Sequence, residues 1–251
     1  MDLSGQNVLI TGGSRGIGRA TAVKCATAGA QVAIHYNQNK GAAEETLEML
    51  DGTGHLIVQA HLGDAAAVKN MVDEAAKHFD GLDTLVNNAG VFFDHPVADV
   101  DYDTWQTAWH ETLQVNLVGA ANACYCAAQY MIKAQSGRII NVSSRGAYRG
   151  EPESPAYGAS KAGMNAMSQS LAKYLGAYNI FVTAVAPGFV ETEMATEVLA
   201  SSKGDEIRNQ SPLKRVATPD EVAQVILFLA APGSEWVTGG VIDVNGASYL
   251  R

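Results

Sequence analysis

Seven short runs in this chain read as strands: NVLITGG, QVAIHY, HLIVQAHL, DTLVNNAG, GRIINVSS, IFVTAVAPG and GGVIDVNG. Several of them are apolar on both faces rather than alternating. Such a strand must be covered on both sides, which is the situation in a parallel sheet clad by helices. Segments of helical period separate the runs: residues 15–28, 42–50, 65–79 behind Asp64, 103–134, 157–174 and 219–230 behind Thr218. Asp64 and Thr218 are good helix N-caps. The strand-helix-strand order predicts a single α/β domain over residues 1–251, with a doubly wound parallel sheet flanked by helices on both faces. The longest irregular stretch, 188–217, is expected to form a lid over the substrate.

In open α/β sheets ligands bind at the carboxyl ends of the strands. Here those ends read TGG, NNAG, VSS and APG. The first continues as TGGSRGIG, a strand-to-helix turn. Gly12, Gly16 and Gly18 let the backbone turn tightly and let a pyrophosphate approach the helix N-terminus, with Ser14, Arg15 and Ile17 beside it. In sites for NAD an acidic residue about 20 positions on holds the adenosine ribose. The second strand ends instead in His35, Tyr36, Asn37 and Gln38, and the next acid, Glu44, falls inside the following helix. A 2′-phosphate meets no repulsion there. Arg15 and Lys40 can attract it and Asn37 can donate to it, so NADP(H) is favoured over NAD(H).

The formal net charge of −9 argues against nucleic acid as a partner. Cys25, Cys124 and Cys126 stand in no metal-ligand spacing, so no metal is expected, and they read as reduced thiols. The N-terminal MDLSGQNVLITGG has no basic leader before an apolar run, and no stretch offers the roughly 20 apolar residues of a bilayer span. The expectation is a soluble cytoplasmic protein with no membrane partner.

TGGSRGIG, NNAG, the Asn of VNLVG, VSS, YGASK and APGFVETEM occur in the order found in short-chain dehydrogenases/reductases, and the chain resembles the compact form of that family over essentially its whole length. The resemblance implies a single Rossmann-type domain in a usually tetrameric enzyme, here a homotetramer or homodimer. It assigns Asn116, Ser144, Tyr157 and Lys161 to catalysis, with Ser144 preferred over Ser143 by its distance from the tyrosine. It places Asn88, Ala89 and Gly90 beside the cofactor, Pro187 and Gly188 at the nicotinamide, and Val190 and Thr192 at its carboxamide. His61 stands where the family often has an adenine-contacting Asp, leaving the Leu62 N–H to serve. PLKRVATPDE and NGA also depart from the family's usual runs, away from the reacting centre.

The chemistry accounts for the pair in SPAYGASKAG. Reducing a ketone takes a hydride and a proton, and a phenol that titrates near pH 10 is a poor acid at neutrality. An ammonium about 4 Å away lowers its pKa by roughly three units at an effective dielectric of about 20. Tyr157 and Lys161, four residues apart, share a helix face. Tyr157 is expected to move the proton. Lys161 is expected to lower its pKa and hold the nicotinamide ribose, Ser144 to orient the substrate oxygen, and Asn116 to hold a water. Gly158 and Gly163 are expected to admit the cofactor and a neighbouring subunit's helix. A Ser144–Lys161 hydrolase would leave the glycine loop and Tyr157 without work. A non-catalytic cofactor sensor would be expected to lose Ser144, Tyr157 or Lys161.

Pocket residues are expected in Phe92, Phe93, Asp94 and His95 after the fourth strand, with His95 either a solvated loop side chain or a substrate contact. Arg145, Tyr148, Arg149, Glu151 and Glu153 follow the fifth. Trp105 and Trp109 share a helix face and suit packing or a subunit interface. The branch most resembled is the 3-oxoacyl-carrier-protein reductases. Members that take the acidic carrier usually show basic residues where this chain has Gln135 and Tyr178, with Lys133, Arg138 and Lys173 only nearby. The sequence therefore favours an NADP-dependent oxidoreductase for a small ketone/secondary alcohol, with the acyl-carrier reductase as the alternative.

Overall fold

The computed structural model describes residues 1–251 apart from the side chain of Met194. The strands are β1 (Asn7–Thr11), β2 (Gln31–Tyr36), β3 (Leu56–Gln59), β4 (Thr84–Asn87), β5 (Gly137–Val142), β6 (Ile180–Pro187) and β7 (Val241–Val244). The α-helices are α1 (Gly16–Thr27), α2 (Lys40–Glu48), α3 (Ala65–Phe79), α4 (Tyr102–Leu113), α5 (Ala120–Ala134), α6 (Gly146–Arg149), α7 (Pro155–Leu175), α8 (Thr196–Ala200), α9 (Gly204–Asn209) and α10 (Pro219–Ala230). All strand pairs are parallel, in the order β3-β2-β1-β4-β5-β6-β7. This is the doubly wound arrangement with helices on both faces.

The winding reverses between β1 and β4, so a crevice opens beyond their carboxyl ends, the usual ligand position of such sheets. The two-sided burial read from the apolar strands holds: β5 is buried at every position. On one face Val8, Ile10, Val32 and Ile34 pack with Ala22 and Cys25 of α1 and with Val222 and Ile226 of α10. On the other Leu9, Leu85 and Ile139 pack with Val68 and Met71 of α3 and Ala123 and Ala127 of α5. Burial drives the thiols of Cys25 and Cys124 up to about 12, so both are protonated packing groups, as expected of reduced cysteines.

The helical stretch expected over 103–134 is continuous but not uniform. Between α4 and α5, Gln114–Gly119 forms a π-helical turn that contains Asn116. Four helices start on side-chain caps: Asn39 for α2, Asp64 for α3, Asp101 for α4, and a Thr218/Glu221 capping box for α10. At α1 the N-cap is Arg15, with no side-chain cap and no acid in the first turn. Its orphan N–H groups are left to face the crevice. Among the described residues no helix is long and apolar enough to cross a membrane.

Candidate active site

Strand β1 and the turn after it form the first wall. Gly12 and Gly16 have φ of +63° and +50°, the left-handed region. A Cβ on Gly18 would lie 2.1 Å from the Gly12 carbonyl oxygen, so α1 packs against the turn only because residue 18 has no side chain. The turn is pinned from behind. His35 is buried and its Nδ1 accepts the Gly12 N–H at 2.9 Å, so Nε2 carries the proton that meets the Ala60 carbonyl at 3.0 Å. Burial holds this imidazole below its ordinary pKa, against the opposing bond to Ala60. The Thr11 hydroxyl accepts the N–H groups of Asn88 and Ala89, and the Asn88 amide donates to the carbonyls of Thr11 and Gly12. Asn88 thus serves by clamping β1 to β4. Thr11 and His35 are working residues that the motif reading passed over; polar side chains at the ends of two apolar strands were the available signal.

The remaining residues proposed for cofactor contact lie at or beyond the carboxyl ends of β2, β3, β4 and β6. Tyr36 is buried at the end of β2 and Asn37 is exposed beyond it. Leu62 is buried, and its carbonyl lies against Gly119 at the end of the π turn. Pro187 ends β6, Gly188 donates to the Val244 carbonyl, and Val190 forms a parallel bridge with Ala217. Thr192 sits on the glycine turn, with its Cγ2 3.1 Å from where a Gly16 Cβ would be. Arg15 and Lys40 differ from the free cations anticipated: Arg15 pairs with Glu193 at 3.2 Å and Lys40 with Glu44 at 3.0 Å. Both pairs are exposed, a setting in which ion pairs are weak and a phosphate competes well.

The second wall carries the residues expected to handle the proton. Tyr157 is the third residue of α7 and Lys161 lies one turn on. Ser144, just beyond β5, is close enough to the phenol to pull its pKa down, and its hydroxyl accepts the Gly146 N–H at 3.0 Å. The hydroxyl of Ser143 donates instead to the Lys161 carbonyl at 3.2 Å. Asn116 is buried. Its Oδ1 accepts the Val91 N–H at 2.7 Å, and its Nδ2 donates to the Val91 carbonyl at 2.9 Å and to Ser160 Oγ at 3.3 Å. A Cβ on Gly90 would fall 3.3 Å from Asn116 Oδ1 and 3.5 Å from Lys161 Nζ, so the two side chains converge over that glycine.

The electrostatics correct one expectation. The Lys161 ammonium is buried, donates to the Val142 carbonyl at 2.8 Å, and has its pKa pushed down by burial to about 8. It lies 5.7 Å from the centre of the Tyr157 ring. The protein's own groups hold the phenol above its ordinary range, not below it. Burial is the main cause, Ser144 acts in the opposite direction, and the Glu151 carboxylate adds to the rise. Within the chain, Gly163 accommodates Leu117 of the π turn and Gly158 faces the Gly146 carbonyl.

Around the phenol, Phe92 packs edge-on at 4.9 Å between ring centres. Arg145 is buried, with a guanidinium held by neutral acceptors in Ser248 and Gln210, both at 2.5 Å, and stacked 5.3 Å over Phe189. Burial lowers its pKa to about 10, helped by Arg149 and opposed by Glu151. It ties the loop of Ser144 to the segment 188–217. Arg149 contacts Glu151, and Lys203 pairs with Glu153, so charged residues form a collar there. His95 is neither of the things expected of it: it is fully buried and bonded to backbone. Trp105 and Trp109 lean on each other at 5.9 Å, consistent with packing. Among the described residues no His/Cys/Asp/Glu group is arranged to hold a metal ion.

A glycine turn at a helix N-terminus and a Tyr/Lys pair on one helix face, meeting at one sheet crossover, are the arrangement of pyridine-nucleotide oxidoreductases, and this chain falls in that class. A family model described as enoyl-(acyl carrier protein) reductase matches residues 12–247. Proteins named 3-oxoacyl-[acyl-carrier-protein] reductase match nearly end to end. That of Staphylococcus aureus is 36% identical over 98% of both chains, and that of Thermotoga maritima is 39% identical over 100% of both. A short-chain dehydrogenase from Burkholderia cenocepacia, solved in complex with NADP, superimposes with a TM-score of 0.88 at 32% identity over 99% of each chain. The chain belongs to the short-chain dehydrogenase/reductase family.

Proposed function

We propose that this protein is an NADP(H)-dependent reductase of 3-oxoacyl thioesters, converting the 3-ketone to a secondary alcohol. The observation that carries the reaction type is the convergence of Tyr157, Ser144, Lys161 and Asn116 beside the glycine turn. The full-length similarity to 3-oxoacyl-carrier-protein reductases favours the thioester class over the general carbonyl substrate that the sequence reading preferred.

The residues present fit the cofactor. The positive-φ Gly12 and Gly16 and the uncapped N-terminus of α1 suit a pyrophosphate. Arg15 and Lys40, with no acid at the end of β2, suit a 2′-phosphate. Leu62 and Tyr36 would border the adenosine, and Pro187, Gly188, Val190 and Thr192 the nicotinamide. NADPH supplies the hydride when bound. Ser144 orients the ketone oxygen, and Tyr157 delivers a proton to it. Lys161 binds the nicotinamide ribose hydroxyls. Asn116, anchored to Val91, holds the helix open at its π turn and positions a proton path to Lys161. The phenol needs a lowered pKa to work near neutrality, and its own surroundings raise it. The Lys161 ammonium must therefore act on it within the assembled complex. Residues 188–217 act as the lid, latched by Arg145. The same reading takes the protein as a cytoplasmic homotetramer, its size measurable by light scattering.

A smaller polar ketone is the second reading, favoured by the charged collar of Arg149, Glu151, Glu153 and Lys203 and by Gln135 and Tyr178 at the carrier-docking positions. Steady-state rates with NADPH and NADH on carrier-bound 3-oxoacyl chains, their free thioester analogues and small hydroxyketones separate the two. A clear preference for carrier-bound chains supports the first reading; turnover confined to small ketones supports the second. In either case Tyr157→Phe should abolish turnover while NADPH affinity stays near wild type, and a Phe variant that still turns over well defeats the catalytic assignment.

A further inference from the structure

The first turn of α7 must hold Tyr157 in place, yet its own cap does not secure it. The side chain of Ser154, the N-cap, makes no capping bond. An α-helix leaves four N-terminal N–H groups without intrahelical acceptors. Here the Ser154 N–H donates to the Glu151 carbonyl at 3.1 Å, Pro155 has none to satisfy, and the Tyr157 N–H turns back to the Ser154 carbonyl at 3.0 Å. The remaining one, on Ala156, donates to His95 Nε2 at 3.2 Å.

His95 comes from the loop after β4, 61 residues away in sequence. Because a backbone N–H can only donate, Nε2 is the unprotonated nitrogen, and Nδ1–H donates to the Phe93 carbonyl at 2.7 Å. The His95 N–H donates to the Glu153 carbonyl at 2.7 Å, and the ring sits edge-on to Trp105 at 5.4 Å. The neighbouring Asp94 accepts the Ser154 hydroxyl at 2.9 Å. The same loop carries Phe92, which packs on the Tyr157 ring. A single imidazole therefore joins the backbone immediately before the phenol to the loop that walls it.

We infer that His95 is a positioning residue for Tyr157: as a neutral acceptor it completes the first turn of the catalytic helix and fixes the phenol against Phe92 and Ser144. This rests on the reading of Tyr157 as the acid-base group. Losing the acceptor leaves the Ala156 N–H buried and unpaired and frees the turn to shift. Displacements of about 1 Å at a reacting group can lower rates about 100-fold.

The test compares His95→Ala, His95→Gln and His95→Asn by steady-state kinetics with NADPH and by amide hydrogen exchange. The Gln carbonyl can reach the Ala156 N–H. Asn keeps a donor for Phe93 but falls short of Ala156. The expected result is a fall in kcat of about 10- to 100-fold for Ala and Asn, with the KM for NADPH unchanged, and recovery of most of the rate in Gln. The amide of Ala156 should exchange faster in Ala and Asn than in wild type and Gln. If Ala does not fold, Asn carries the same expectation. Equal rates in wild type, Ala and Asn overturn the inference, as does a loss that Gln fails to restore or one that falls on the KM for NADPH. Absence of ketone reduction by the wild-type protein would instead defeat the proposed function, and the exchange of Ala156 would still decide the role of His95.

Discussion

Replacing Lys161 by Met should make the protein more stable while stopping it from working. Lys161 is 3% exposed, its Nζ donates to the neutral carbonyl of Val142, and its pKa is pushed by burial from 10.5 to about 8. Each unit of depression corresponds to about 1.4 kcal/mol, so keeping the ammonium charged at neutral pH costs the folded state about 3 kcal/mol. Met has similar length and no charge, but it leaves the Val142 carbonyl without this donor, a loss of about 1–2 kcal/mol. The net gain is about 1–2 kcal/mol, which for a chain of this size raises Tm by about 3–6 °C. The pH dependence gives a second reading. The folded state binds the Lys161 proton more weakly than the unfolded chain does, so wild-type stability is lower below pH 8 and climbs as pH rises from there toward 10.5. The variant should lack that climb. Thermal and urea melts of the cofactor-free protein at neutral pH and above pH 8, beside a ketone-reduction assay, measure all of this. A Met variant that melts below wild type at neutral pH, or that keeps the alkaline climb, would refute the claim that burial of an under-compensated ammonium is a standing cost.

Two further outcomes follow from the glycine turn. His35 is held below its ordinary pKa, so the folded state takes up its proton less readily than the unfolded chain. The stability tied to neutral His35 is complete above 6.5 and declines as pH falls below it; urea midpoints across that range should decline less steeply in His35→Gln than in wild type. Gly18→Ala puts a methyl group against the Gly12 carbonyl oxygen and Asn88 Nδ2, which would stand 2.1 and 2.6 Å away. It should cost about 1–3 kcal/mol of stability and raise the KM for NADPH, and an Ala variant with unchanged cofactor binding would show that the turn yields more easily than its packing implies.

The architecture was legible because burial on both faces leaves a mark in each strand: Ile139 and Ile140 are consecutive and both fully covered. The N-caps Asp64 and Thr218 were legible because a cap is a local chemical event. What the sequence could not convey was pairing over distance. Arg15 reads as a free cation until Glu193 is brought beside it. His95 reads as a loop histidine until the start of α7 arrives to supply an N–H. Nor does spacing alone give the phenol's environment. The i to i+4 relation put Tyr157 and Lys161 on one face, but burial and Glu151 set the sign of the tyrosine's shift. The preference for Ser144 over Ser143 came from its distance to the tyrosine; what the spacing did not give is the partner of the Ser143 hydroxyl, the Lys161 carbonyl.

The π turn at Gln114–Gly119 has a consequence for how this chain can change. An α-helix advances about 100° per residue, and the wider turn interposes a phase step between two regular segments. Before the step the helix leans on α7; after it, on α3. The run from Tyr102 to Ala134 therefore works as a coupling between two shafts set at different angles, with Asn116 at the joint. Losing one residue from the joint would rotate one shaft against the other, carrying either Asn116 away from Val91 or the apolar stripe of α5 away from the core. In this stretch residue number is under tighter constraint than residue identity.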